Sequence, residues 1–430
     1  MNGFQKRVTL FMILAIALTL LLPVPCRAID TDNVISIAPF LEGADYTIVE
    51  CMDNDMGVPY KAFIDKTGRF ACCTYSENVG KVVAMAGSYI AFSPQFAPDE
   101  YYVADILKGQ VIFSSARESK CDDILDLGSW QGHCYFVGHS SFAGFDSVGE
   151  IYTIFDGTGR PVFEKTYGTT LKNANYIGEG WFIFAYAGGA LYVQAETGKT
   201  YDIPGAANWS YPVCNGHAYN YIDQDFSCID LGTGKSQRIK LPDNQLHRVI
   251  AGQPSENKIV AFEYDPFIFV KDNFKSVFYY SPDRGVVQIT ALADHVFKNN
   301  YYQQFSRCKF VDGKLLLPME GADKALYVGL VDEDNNALIQ PIKTEYYISY
   351  TADSGRIVVQ QDGIGVVYDV SGNRLFDATQ WGQTVIEAYV NGFARLGDGR
   401  HCQYMIDPNG KLLMSELYVD VRSMPLMDLY

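Results

Sequence analysis

Few residues of this chain come in patterns that could do chemistry. Gly138-His139-Ser140-Ser141 opens like the Gly-x-Ser-x-Gly elbow that exposes a nucleophilic serine. Phe142 stands at the place of the second glycine, however, and no helical pattern follows, so the stretch reads as a hydroxyl-bearing loop. His133-Cys134 with His139 puts three potential metal ligands within seven positions, with no Cys-x-x-Cys or His-x-x-x-His elsewhere to complete a set. Asp332, Asp334 and Asn336 have the alternating oxygen spacing of a calcium loop, and Asp53-Asn54-Asp55 with Gly57 is a second acidic turn. Ala337 and Lys343 occupy the glycine and bidentate glutamate positions that an EF-hand needs. Solvated turns are the competing reading, and no cofactor is expected, calcium being the one candidate.

Aromatic residues are the more abundant signal, with 30 Tyr and 26 Phe favouring strands over helices. Tyrosine pairs stand at Tyr101-Tyr102, Tyr279-Tyr280, Tyr301-Tyr302 and Tyr346-Tyr347, with tryptophans at Trp130, Trp181, Trp209 and Trp381. Neighbours in a strand face opposite ways, so one ring of each pair is expected to be exposed. Tyr101, Tyr279, Tyr301, Tyr346 and Trp181 are the candidate binding residues, offering an apolar face and a polar tip to a sugar or peptide. Ordinary sheet packing is the alternative account of the same residues.

These side chains belong to a chain that repeats one phrase. Ala62-Phe63-Ile64-Asp65-Lys66-Thr67-Gly68-Arg69 and Tyr404-Met405-Ile406-Asp407-Pro408-Asn409-Gly410-Lys411 each place an apolar run before Asp-x-x-Gly. Such an Asp accepts from the backbone two residues on, and the Gly takes a positive φ without a Cβ clash, which closes a hairpin on a type I turn. Copies recur with turn residues at Gly68, Gly109, Gly159, Gly198, Gly234, Gly285, Asn336, Gly372 and Gly410, spaced 36 to 51 residues apart. Asp65, Asp156, Asp230, Asp369 and Asp407 are the turn acids, and Asn336 is expected to take the left-handed place of a lost glycine. Glycine-led strands stand upstream, at Gly87-Ser88-Tyr89, Gly180-Trp181-Phe182 and Gly355-Arg356-Ile357. Only Ala291 to Phe297 has a helical pattern.

A strand-rich period of this length predicts an all-β chain, a β-propeller of four-stranded antiparallel blades. About seven or eight blades are expected, with one of the nine turn markers assigned to a decorating hairpin. Gly392-Phe393-Ala394-Arg395-Leu396, followed by Tyr404 to Lys411, resembles a unit of the bacterial WG-repeat family, and residues 60–70 and 176–199 echo it. Lys61-Ala62 and Gln403-Tyr404 stand where that family has its Trp-Gly or Tyr-Gly pair. The Thr-Gly-Lys turns also resemble quinoprotein-like and WD-type propeller blades, and Ser281-Pro282-Asp283-Arg284-Gly285 resembles the Asp-box of sialidase-type propellers. The resemblance implies a secreted or surface-exposed bacterial binding protein and carries no activity.

Lys6 and Arg7, the apolar Leu10 to Leu22 and Cys26-Arg27-Ala28 predict a signal peptide over residues 1–28, leaving a single propeller domain over 29–430. Lipidation at Cys26 is an alternative, although Pro23-Val24-Pro25 lacks the usual small residue before such a cysteine. Removal of residues 1–28 takes the formal charge from −16 to −19, because Lys6, Arg7 and Arg27 leave with no acid. Nucleic acid is excluded as a partner on that balance, and no membrane span is expected after the signal. The remaining cysteines, odd in number and scattered, do not form a disulfide framework, with a Cys72-Cys73 vicinal bridge as the exception to check. The expectation is a non-catalytic, monomeric, extracellular or envelope protein that binds a glycan, a cell-wall polymer or a protein. The rival is a propeller hydrolase or lyase whose carboxylates gather at the channel mouth.

Overall fold

The Asp-x-x-Gly phrase forms the hairpin that its residues call for. Asp65 accepts the N–H groups of Thr67 and Arg69 at 2.7 and 2.9 Å, Gly68 N–H closes on the Asp65 carbonyl at 3.1 Å, and Gly68 has φ 83°. Asp156, Asp332, Asp369 and Asp407 repeat both carboxylate bonds. Gly159, Gly372 and Gly410 also have positive φ, as does Gly234, which ends a turn one residue longer after Asp230. One register is corrected: Asn335, not Asn336, takes the left-handed place, at φ 65°, and its N–H closes on Asp332. The fourth position of the turn demands that conformation, and Asn336 is the residue after it.

In the computed structural model the described residues are 34–412 together with Met427, leaving out 42, 54–56, 119–120, 144–147, 168–170, 172, 224, 241–247, 265–273, 293–307, 322, 346–352 and 399–401. The expected signal peptide, Cys26, Asn54, Asp55, the helical pattern from Ala293 on, Tyr301 and Tyr346 lie outside them.

Among the described residues there are nine antiparallel sheets, each built of consecutive strands, and they close into a propeller ring. The first blade comprises Val34–Ile37, Tyr46–Asp53, Val58–Asp65 and Phe70–Tyr75, and the third Asp123–Trp130, His133–Ala143, Val148–Asp156 and Pro161–Tyr167. Six of the described sheets have four strands and three have three; eight of the turn markers join the last two strands of one sheet each and Gly410 follows the last strand of the ninth, so none belongs to a decorating hairpin and the blade number is nine rather than seven or eight. The strands led by Gly87 and Gly180 are second strands, and the one led by Gly355 is the first described strand of its sheet. Gln131-Gly132, Glu179-Gly180, Asn215-Gly216, Asp312-Gly313 and Asn391-Gly392 all have two successive positive φ values, the type I′ geometry of two-residue hairpins.

Each sheet is covered on both sides by its neighbours. Phe182, Ile183 and Phe184 are therefore all buried although they are consecutive, and Phe136 and Phe155 of the third blade pack on Phe113 of the second. The first strands meet around the axis, Asp123–Trp130 lying between Lys81–Ala86 and Asn173–Gly178. Alternation of strand direction then puts the short first-to-second and third-to-fourth turns on one face, the turn face. The longer connections lie on the other, the loop face. Turns on the turn face grip one another, as where the Glu179 carboxylate accepts the N–H groups of Asn215 and Gly216 at 2.6 and 2.8 Å. Where the ring closes, Arg395 clamps Glu387 with two bonds of 2.7 Å and donates to the Ile37 carbonyl at 2.8 Å. Met427 reaches the outer strand of the first blade, its N–H donating to Cys73 O at 2.8 Å. Among the described residues no helix is long and apolar enough to cross a membrane.

Burial alone would raise the turn carboxyls, but the hydrogen bonds that close each turn outweigh it, so Asp65, Asp156, Asp332 and Asp369 are held below their ordinary value. A carboxyl lowered by folding contributes stability above its unfolded pKa and loses it as pH falls through the folded one. Asp156→Ala is therefore expected to cost about 1 kcal/mol at neutral pH. That difference in urea midpoint should shrink steadily on acidification below about pH 4.

Candidate functional site

The chemistry-bearing residues collect on the loop face of the second to fifth blades. His139 lies toward the loop-face end of the strand His133–Ala143, opposite Asp123 on one side and Tyr152 on the other. Its Nδ1 is 3.1 Å from Asp123 Oδ1, and its ring lies 4.8 Å from that of Tyr152. A carboxylate there fixes the ring proton on Nδ1 and leaves Nε2 as an acceptor. Nε2 is buried and has no hydrogen-bond partner among the described residues. Burial pushes the Asp123 carboxyl up, aided by Asp122 and opposed by His139. Tyr152 donates to Glu150 at 2.6 Å, and the Tyr101 hydroxyl is raised by its own burial and by the nearby Asp123.

Ser141 does not serve this pair. Its Oγ is 3.2 Å from Asp122 Oδ2 and its N–H donates to the same oxygen at 2.8 Å, while Ser140 points to the other side of the strand. The Gly138-His139-Ser140-Ser141 stretch is strand rather than the loop expected. Asp123 and His139 thus form an orienting pair with no hydroxyl nucleophile in line with it among the described residues.

Aromatic rings continue around this face. Tyr167 packs edge-on to Tyr152 at 6.0 Å and lies 6.3 Å from Tyr186, whose hydroxyl donates to Asp202. Burial, with Asp202 and Tyr186 adding to it, pushes Tyr167 up to about 12. In the fifth blade the irregular segment 206–213 runs where a first strand would lie, tied by Ala207 N–H to Tyr221 O at 2.8 Å and by Tyr211 N–H to Tyr219 O at 3.0 Å. It presents Trp209, 40% exposed, edge-on to Tyr211 at 4.9 Å and 5.7 Å from Tyr221.

The candidates named from the sequence are dispersed. Tyr101 is half-buried beside the Asp123–His139 pair. Tyr279 is fully buried and donates to the Glu333 carbonyl at 2.6 Å, and its neighbour Tyr280 is buried too. Trp181 is buried and stacked on Tyr201 at 6.0 Å near the opposite, turn face. These two rings correct the expectation of exposure, because a blade sandwiched between blades buries both its faces. His133 and His139 are six residues apart on one strand, roughly 20 Å, so they cannot share a metal. Asp332 receives N–H donors on both oxygens and Asp334 faces the Arg284 guanidinium at 3.1 Å. No disulfide joins Cys72 to Cys73, and none links the other six cysteines whose side chains are described. Trp209, the most exposed of these rings, was missed as a ligand contact because its exposure comes from a missing strand, for which Pro204-Gly205-Ala206-Ala207 was the available signal.

No family model matches the chain, and no curated protein sequence does. Solved structures similar in fold include the acylaminoacyl peptidase of Pyrococcus horikoshii, at 10% identity over 77% of this chain and 56% of that one, with a TM-score of 0.36. The chain thus spans little more than half the length of that protein. The β-propeller domain of the Trilobed protease from Pyrococcus furiosus matches at 11% identity over 79% and 92%, with a TM-score of 0.33. Apo AztD from Citrobacter koseri matches at 12% over 72% and 86%, with a TM-score of 0.35.

Proposed function

We propose that this chain is a non-catalytic binding protein working outside the cell, and that it holds a glycan, a cell-wall polymer or a protein partner on the loop face of its ring. The observation that carries the reading is Trp209, an exposed indole on a rigid aromatic support, on the same face as the tyrosines and acids of the third and fourth blades. A flat ring held by neighbouring rings stacks on a sugar with little loss of rotamer freedom. Carboxylates of the third and fourth blades on the same face, Asp123, Glu150 and Asp202, can accept hydrogen bonds from hydroxyls. Export follows from the basic and apolar N-terminal segment ending at Ala28.

Residues 29–430 are expected to co-sediment with insoluble cell-wall sacculi, chitin or cellulose. Trp209→Ala should weaken retention on the preferred polymer by about tenfold. Retention on none of the three would turn the reading toward the protein partner. Retention that ignores Trp209→Ala would remove the loop-face platform from it.

A further inference from the structure

On the turn face, opposite the platform, three turns are reached from the preceding blade by a long side chain. Lys199 Nζ donates to the Gly232 carbonyl at 2.7 Å, Arg284 reaches the Glu333 carbonyl at 3.2 Å and Asp334 at 3.1 Å, and Arg356 donates to the Pro408 carbonyl. Around the third blade the equivalent cations do otherwise. Lys108 folds back onto its own turn's Asp105 at 2.9 Å, and Arg160 onto its own Asp156 at 3.2 Å. A cleft of about 420 Å³ opens beside them.

The walls of this cleft carry both signs of charge. Lys108 and Arg160 line it from two successive turns, with Asp156 beside Arg160, Glu196 from the turn of the fourth blade, and Tyr89, His133 and Tyr135 among the other lining residues. A Cβ at Gly132 would meet open space, so that side of the cleft stays unobstructed, whereas one at Gly157 would face Cys134. Both cations are more than half exposed, Lys108 paired with Asp105 and Arg160 with Asp156. An ammonium and a guanidinium group on one wall suit a carboxylate, while a separate glutamate suits an ammonium. A volume of this order accepts a molecule of amino-acid to short-peptide size.

We infer that the cleft over the third blade binds a small zwitterion, an amino acid or short peptide with a free carboxylate and a free ammonium group. Lys108 and Arg160 take the carboxylate, Glu196 takes the ammonium, and the Tyr89 and Tyr135 rings line the remainder. This site is separate from the loop-face platform, and neither depends on the other.

Calorimetric titration of the full chain with trialanine tests it, beside N-acetyl-trialanine and trialanine amide. Saturable one-site binding of trialanine is expected, with each blocked form weaker by about tenfold or more. The Lys108→Met/Arg160→Met double variant should lose trialanine, and so should Glu196→Gln, whose exposed carboxylate can be neutralised without disturbing the fold. Trp209→Ala should leave the titration unchanged. No saturable heat at about 10 mM trialanine would overturn the inference. Equal affinity for the blocked peptides, or binding that survives both cleft variants, would also overturn it.

Discussion

Met427→Asp is expected to lower the stability of the ring by about 3 kcal/mol, the scale of losing a large buried apolar side chain. Met427 is fully buried in a cluster that joins the first and second blades, among Phe63, Cys72, Phe92 and Ile106. Its N–H donates to Cys73 O at 2.8 Å, and its carbonyl accepts from Thr74 Oγ1 at 3.0 Å, so Met427 both binds an edge strand and fills a core site. Among the described residues every sheet is made of consecutive strands, and no strand of the ninth blade enters the first. Closure therefore rests on Arg395, on the contact of the first strand with the last, and on this plug. An aspartate there must either bury an unpaired charge or leave the cluster open. Urea unfolding of the natural chain, Met427→Asp and Met427→Leu measures it. Leu should keep most of the stability, and an unchanged midpoint for Asp would mean that the plug contributes nothing to closure.

Gly128→Ala is expected to cost a similar amount, about 3 kcal/mol, at the upper end for overpacking. A Cβ at Gly128 would stand 2.3 Å from the ring of Tyr176. That ring cannot step aside cheaply, because its hydroxyl donates to Ser129 O at 2.9 Å and its own N–H is held by Asp126 at 2.9 Å. The two residues lie on the first strands of the third and fourth blades, so the clash would part the blades that carry the aromatic row. Gly132→Ala is the control. Its φ of 81° disfavours a side chain, but nothing lies within 4 Å of the added carbon, and about 1 kcal/mol is expected. Equal losses for the two would show that the approach of Tyr176 to Gly128 is not tight. Thermal melts of both variants give the comparison.

Local turn chemistry carried the architecture. Asp65, Asp156 and Asp407 with Gly68, Gly159 and Gly410 act within five residues of chain, so their hairpins are readable wherever the phrase survives. Marker counting erred where a degenerate copy invited a discount, and the structure shows that even the loose Gly109 and Gly285 copies each end a blade. The shift from Asn336 to Asn335 is the same kind of error, one residue of register at a turn that has lost its glycine.

Exposure followed different physics. Alternation along a strand tells which residues share a face, but it says nothing of what covers that face. Tyr279 and Tyr280 point opposite ways and are both buried, because blades flank their sheet on either side. Trp209 is exposed because the fifth blade lacks a regular first strand, and Asp123 meets His139 because two strands pair in a register that no local pattern encodes. The amino-acid order alone thus specified the repeating hairpin, the all-β class and the ring. Which rings face solvent, which acid orients which histidine and where a cleft opens came from the packing of blades, since those contacts join residues brought together by the closing of the ring rather than by the chain.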